Sequence, residues 1–160
     1  MNIKIRTAVA EDCERIRPIQ EAIANLHHKG RPDLFKTEAR YFTEETFMER
    51  LNNPKHTVYI AETDQGEVVG YAFAWIVSYR DHPTYIDFDC FYIDDICVLK
   101  SYRRKGIGKR LFACCKQKGR EQKCKMLDLG VWGFNKDAIA FYENCGMTER
   151  IRKMEYRLDD

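Results

Sequence analysis

Three stretches hold residues whose types and spacing could do chemistry. From Ser101 to Arg110 the chain reads SYRRKGIGKR, with Arg103, Arg104, Lys105, Lys109 and Arg110 around Gly106 and Gly108. Helical spacing follows, and a helix N-terminus carries the positive end of the macrodipole, so these cations repel the helix they open. An anion resolves the conflict. Free N–H groups at a helix start bind negative charge, and glycines let the backbone approach a phosphate closely. The ligand that fits is polyphosphorylated. A solvated basic helix end and a nucleic-acid patch are the alternatives these residues leave open. Neither G-x-x-x-x-G-K-[ST] nor G-x-G-x-x-G is matched, which excludes a P-loop and a dinucleotide fingerprint.

The second stretch is the acidic run before it. Tyr85 to Val98 reads as one long extended segment, on which Ile86, Phe88, Cys90, Tyr92, Asp94, Ile96 and Val98 share one parity. Asp94 therefore interrupts a mostly apolar face, where partial burial would raise its pKa toward that of a useful base. Asp95 falls on the other parity with Asp87 and Asp89; a bulge would exchange the two, and a structural Asp bonded to backbone is the plainer alternative. The third residue is Tyr142, on the apolar stripe of a helix beside Phe141. Its spacing alone says packing, while its phenol, with a pKa of ~10, could serve as a general acid. The four histidines sit at a helix end (His27, His28) or beside prolines (His56, His82), and plain structural roles are expected for them. The same holds for Trp75, Trp132, Cys114 and Cys115. Arg31, Asp33 and Phe35 lie in a loop that could touch a substrate, by position only.

These residues need elements to position them. Ile3, Ile5, Thr7 and Val9 alternate as a strand, and Ile16, Ile19, Ile23 and Leu26 then have helical spacing that Pro18 should kink or split. A loop broken by Gly30 and Pro32 leads to a short helix over 43–51. Thr43 is its N-cap, and Thr46 stands where a capping box wants Glu, so no box is expected. Residues 57–77 read as a hairpin turning at Asp64–Gly66. Helices over 106–120 and 135–145 flank a strand over 126–132, with Asn135 as a cap and Gly146 as a stop. Residues 149–158 read as a last strand. A hairpin gives antiparallel pairing and a strand–helix–strand unit gives parallel pairing. The expected fold is α/β: a mixed, mostly antiparallel central sheet with helices on both faces, in a single domain over 1–160.

Composition bounds the partners. The 160 residues are 44% hydrophobic and 32% charged, the mix of one folded domain. Seven cysteines, an odd number without any C-x-x-C pair, argue against a disulfide framework and a zinc site and for a reducing cytoplasm. No apolar run reaches membrane-spanning length, and no signal peptide is visible. A net charge of +2 makes no demand for nucleic acid.

YIDDICVLKSYRRKGIGKRLF, followed by LDLGVWGFNKDAIAFYENCGM, resembles the GCN5-related N-acetyltransferase (GNAT) superfamily. Arg103, Gly106 and Gly108 match its R-x-x-G-x-G pyrophosphate loop. DDICV matches the strand that pairs with pantetheine, and Asn135, Ala138, Phe141, Tyr142 and Gly146 match the second cofactor motif. The resemblance implies direct acetyl transfer from acetyl-CoA to an amine, with no covalent enzyme intermediate and no metal. It implies that Ile96, Cys97 and Val98 hold the pantetheine and that Arg103, Arg104, Lys105, Gly106, Ile107, Gly108 and Lys109 hold the diphosphate. It further implies that Asn135 and Ala138 meet the cofactor arm and that Tyr142 faces the sulfur. In polyamine acetyltransferases of the superfamily, an acid at the place of Asp94 is assigned the base role. The acceptor expected is a small cationic amine, suited to the acidic strand. A protein N-terminus or lysine is the alternative, and a nucleic-acid-binding module ranks last. No membrane partner is expected, and a homodimer stays open.

Overall fold

The computed structural model describes residues 2–37 and 41–158. Two compact units divide the chain, Met1–Gly130 and Val131–Asp160, and each is described by itself.

The first unit is built on a five-stranded sheet: β1 (Ile3–Thr7), β2 (His56–Thr63), β3 (Val68–Tyr79), β4 (Phe88–Val98) and β5 (Met126–Leu129), in that spatial order. The first three pairings are antiparallel and β4–β5 is parallel. Parallel strands need a crossover, and α4 (Ile107–Glu121) supplies it. The mixed sheet is therefore the one expected. β5 is shorter than the 126–132 expected, because the ladder with β4 ends at Ile93–Leu129.

Helices cover both faces. Ile16, Ile19 and Ile23, with Phe47 of α3 (Glu44–Asn52), bury against Val58, Ile60, Tyr71 and Phe73 on one face. α4 packs on the other. A Cβ at Gly119 would come within 3.1 Å of Phe91 Cβ, and one at Gly70 within 3.4 Å of Leu111 Cδ1. Fully burying each large apolar side chain contributes about 1.5–3 kcal/mol, so the sheet is fixed from both sides. On α4 the buried stripe is Ile107, Leu111, Phe112, Cys115 and Gly119, and Cys114 beside it is half-buried.

Pro18 splits the first helix rather than kinking it. α1 (Asp12–Arg15) ends at Ile16, and α2 (Arg17–Gly30) begins with proline in its first turn, where no amide bond is lost. The capping box at α3 is present, against expectation. Thr43 Oγ1 accepts from the Thr46 amide at 3.2 Å, and Thr46 Oγ1 accepts from the Thr43 amide at 2.9 Å. A threonine hydroxyl accepts as a glutamate oxygen does, so Glu is not required.

The second unit holds α5 (Lys136–Asn144), capped by Asn135, whose Oδ1 accepts from the Ala138 amide at 3.2 Å. Gly146 stops it with a φ of +88°. Residues 147–158 form no helix or strand within this unit. The strand expected over 149–158 alternates in sequence, but a strand exists only through pairing, and the described residues of this unit hold no other strand.

Candidate active site

β4 positions the first part of the site. Phe73 pairs with Asp95 and Ala74 with Ile93, so Asp94 is an extra residue, a β-bulge. This corrects the single parity read from sequence. Ahead of the bulge, Phe88, Cys90 and Tyr92 stand opposite Tyr79, Val77 and Trp75; beyond it, Asp95 and Cys97 stand opposite Phe73 and Tyr71. These share the face that carries α2 and α3. Ile96 and Val98, opposite Ala72 and Gly70, belong to the α4 face. Asp94 thus shares no common face with Ile96 and Val98, and Asp95 is not displaced to the far side.

The bulge brings two carboxylates to one place. Tyr71, fully buried, donates its hydroxyl to Asp95 Oδ2. Burial pushes the Asp95 carboxyl up to about 7; the Tyr71 bond pulls it down and the Asp94 charge adds to the rise. Asp94 is exposed and takes no hydrogen bond from the described residues; Arg50 Nη1 stands 3.7 Å from its Oδ2. Its pKa is also raised, by desolvation first, against the charges of Arg50 and His56. The Tyr41 phenol is pushed up to about 12, by burial and then by Asp95 and Asp94, and it bonds His27 Nδ1. Burial lowers the His27 pKa. The sequence predicts structural roles for His27, His56 and Trp75, yet His56 feels the charge of Asp94, Trp75 packs on Arg50 beside it, and His27 reaches the pair through Tyr41. Pairing could have found one of them: Trp75 follows Phe73 at the spacing of one strand face.

The open edge of β4 forms the second part. β5 pairs only with Cys90–Ile93, so Asp94–Val98 has no strand on that side among the described residues. Leu99 N donates to Val69 O at 2.9 Å, which directs the main-chain groups of Leu99 and Cys97 toward β3. Those of Ile96 and Val98 alternate and face the open edge. Arg103 Nε donates to Val98 O at 3.0 Å and ties this edge to the glycine loop.

The loop is the third part. After a 3-10 turn over Lys100–Tyr102, Arg104 and Gly106 take left-handed φ values of +63° and +79°. Nothing lies within 4 Å of a Cβ built on Gly106, so its backbone conformation, not crowding, calls for glycine. Among the described residues, no main-chain oxygen accepts from the amides of 104–109, which open α4. These amides, with exposed Lys105 and Lys109 beside them, fit a diphosphate.

In the second unit, Asn135 commits its side-chain oxygen to the cap, which leaves its amide N–H groups for a ligand. Ala138 supplies the capped amide. Tyr142 lies on α5 with its ring 5.1 Å from Phe141.

A bulged strand with an open edge, running into a basic glycine loop, is the arrangement of a CoA-dependent acyltransferase fold. The chain matches the Acetyltransferase (GNAT) family over residues 21–147 and belongs to it. It is 31% identical over 116 residues to an uncharacterized N-acetyltransferase in the pepI 3' region of Lactobacillus delbrueckii subsp. lactis, covering 72% of this chain and 65% of that one. It is 31% identical over 72 residues to an L-ornithine N5-acetyltransferase of Arabidopsis thaliana, covering 45% of this chain and 32% of that one. The chain therefore spans less than two thirds of the length of either relative. The crystal structure of a mutant of the BH1408 protein from Bacillus halodurans superposes with a TM-score of 0.93 at 27% identity, over 97% of this chain and 99% of that one. Among the described residues no cluster of His, Cys, Asp or Glu could hold a metal ion. No helix among them is long and apolar enough to cross a membrane.

Proposed function

We propose that this chain is an acetyl-CoA-dependent N-acetyltransferase, a single domain over 1–160, acting on a small cationic amine. The family supports the activity. The acidic pair at the β4 bulge is the single observation that carries the acceptor reading. Acetyl-CoA, when bound, supplies an acetyl thioester and a thiolate leaving group. The Ile96 and Val98 main chain at the open edge, with Cys97 between them, binds the pantetheine arm. The amides of 104–109, with Arg103, Arg104, Lys105 and Lys109, bind the diphosphate, and Asn135 N–H groups and Ala138 orient the arm.

The amine arrives protonated, with a pKa like that of lysine, ~10.4. Asp94, exposed beside the bulge, attracts it. Asp95, held near neutrality by burial, takes its proton, since a base works best when its pKa lies near the working pH. Sequence parity favours Asp94 as the base; the bulge and the Tyr71 bond favour Asp95, with Asp94 holding the amine. Tyr142 is the general acid that gives its phenolic proton to the departing thiolate. An odd number of cysteines with no C-x-x-C pair supports work in a reducing cytoplasm. The relative named for L-ornithine supports a small cationic acceptor over a protein one.

The test is thiol release from acetyl-CoA with a panel of amines and peptides. Release with small diamines or diamino acids and none with peptides is the expected result. Saturating acetyl-CoA should raise the Tm of the parent, and Gly106→Val should remove that rise. Tyr142→Phe should keep the rise and lose about 10²-fold in turnover. Absence of any thermal shift with acetyl-CoA would refute the assignment.

A further inference from the structure

Arg50 holds a position that the acetyl transfer itself does not require. It lies on α3 one turn after Phe47, whose fully buried ring anchors the helix to the sheet. That anchoring directs Arg50 into a frame of aromatic rings. Its Cζ lies 4.4 Å from the centroid of Phe42, 5.1 Å from Trp75 and 5.6 Å from Phe73. Phe42 stacks on Phe73 at 4.3 Å, and His56 stacks on Trp75 at 5.7 Å. The guanidinium is thus fixed in place by ring faces.

Its donors meet no acceptor within hydrogen-bond reach among the described residues. A guanidinium has five N–H donors in a fork that matches a carboxylate. Among the described residues Arg50 makes no side-chain hydrogen bond, and its approach to Asp94 at 3.7 Å is beyond hydrogen-bond reach. Contrast Arg31, whose Nε and Nη2 both close on Asp33, at 2.8 and 2.7 Å. Arg50 is partly exposed, its side chain at 23%. His56 beside it buries Nδ1 with no hydrogen-bond partner among the described residues. A rigid cation with a free fork, next to an acidic pair, is complementary to a ligand that carries both charges.

We infer that the acceptor is an amino carboxylate, its amine received by Asp94 and Asp95 and its carboxylate by the guanidinium of Arg50. The inference rests on the acetyltransferase reading and names the acceptor class for the same site. Cation–π contact leaves the donor fork free, so the rings orient Arg50 without consuming the groups that bind an oxyanion. A plain polyamine would leave that fork unmatched and would bring further positive charge against it.

The probes are L-ornithine against putrescine and L-lysine against cadaverine, pairs that differ by the carboxylate alone. The parent should show a higher kcat/KM for each amino acid than for its diamine, carried in KM. Arg50→Met keeps an unbranched apolar stem among the rings and removes the fork. It should lower the amino acid's advantage by about 10- to 100-fold, the scale of a lost hydrogen bond to a charged group. Arg50→Lys, which keeps a point charge without the fork, should restore part of it. The same comparison is made without turnover, by the Tm rise that L-ornithine and putrescine each give to the parent and to Arg50→Met. If the parent treats both members of each pair alike, or Arg50→Met weakens both equally, the inference is wrong and Arg50 is part of the packing. Absence of thiol release with every acceptor overturns the activity instead, and the Tm comparison still decides on Arg50.

Discussion

Two groups of acids in the first unit have opposite electrostatics. Asp12 and Glu62 bind β1, α1 and β2 together through Arg6 and Arg15. Asp12, fully buried, accepts from Arg6 at 2.6 and 2.9 Å, from Arg15 at 2.6 Å and from the Val9 amide at 2.9 Å. Burial pulls its pKa up, but these bonds outweigh it and the net shift is down. Hydrogen bonds from Arg6 and then Arg15 hold Glu62 at about 2. Among the described residues Asp94 and Asp95 accept a single side-chain hydrogen bond, from Tyr71 to Asp95, and both pKa values rise. Paired acids strengthen a fold, whereas acids left without donors weaken it and remain ready to take a proton.

Breaking the satisfied cluster should have the largest effect. Asp12→Asn leaves Arg6 and Arg15 with less negative charge than they need, and should cost about 3–5 kcal/mol of stability, read as a fall in Tm. A cost below about 1 kcal/mol would mean that the network is a surface feature with little consequence. Its pH dependence has a definite sign. Glu62 and Asp12 are depressed when folded, so their stabilisation is complete above about pH 4.5 and is lost as the pH falls toward 2.

Asp95→Asn should lower turnover by about 10²-fold or more, with less loss at high pH, where more of the amine is already neutral. Asp94→Asn should be milder and act mainly through KM. The opposite order would return the base role to Asp94. Kinetics of both variants across pH, with one working amine, settle the order.

The same Asp95→Asn variant should be more stable than the parent at pH 8. Folded Asp95 has a pKa above that of the unfolded chain, so the parent loses stability as pH rises from the ordinary carboxylate range to about 7. The gain should be on the order of 1–2 kcal/mol, reduced by water on the open side of the carboxyl. At pH 4 it should vanish. Equal gains at both pH values would assign the effect to packing.

Tyr71→Phe should have the smallest effect, about 1 kcal/mol of stability for one hydrogen bond. Because that bond lowers the Asp95 pKa, its loss should move the acid limb of the activity profile to higher pH. An unmoved limb would separate Tyr71 from the base.

Much of the architecture is legible in local sequence, because its signals are local. Ile3 and Ile5 alternate, Ile16, Ile19 and Ile23 recur at helical spacing, and the turn at Asp64–Gly66 carries a glycine with a φ of +81°. The glycine loop could be read as an anion site from Arg103 to Lys109 alone, because cations opening a helix are a local contradiction. The Thr43–Thr46 capping box is local too, but a motif that asks for glutamate passes over the hydroxyl that serves in its place.

What only tertiary structure decided is the register of β4 and everything that depends on it. A bulge is a mismatch in pairing between two strands, and nothing in DDICV records that Phe73 stands opposite Asp95 while Ala74 stands opposite Ile93. Period two then assigned each residue beyond Asp94 to the wrong face. The Arg50 frame is hidden for the same reason: Phe42, Phe73 and Trp75 meet it from a loop and a strand distant in sequence. Sequence determines the chemical character of each residue and its local periodicity. The pKa of an acid and the use of an arginine depend on which neighbours the fold places within a few ångströms, and that is set by long-range packing.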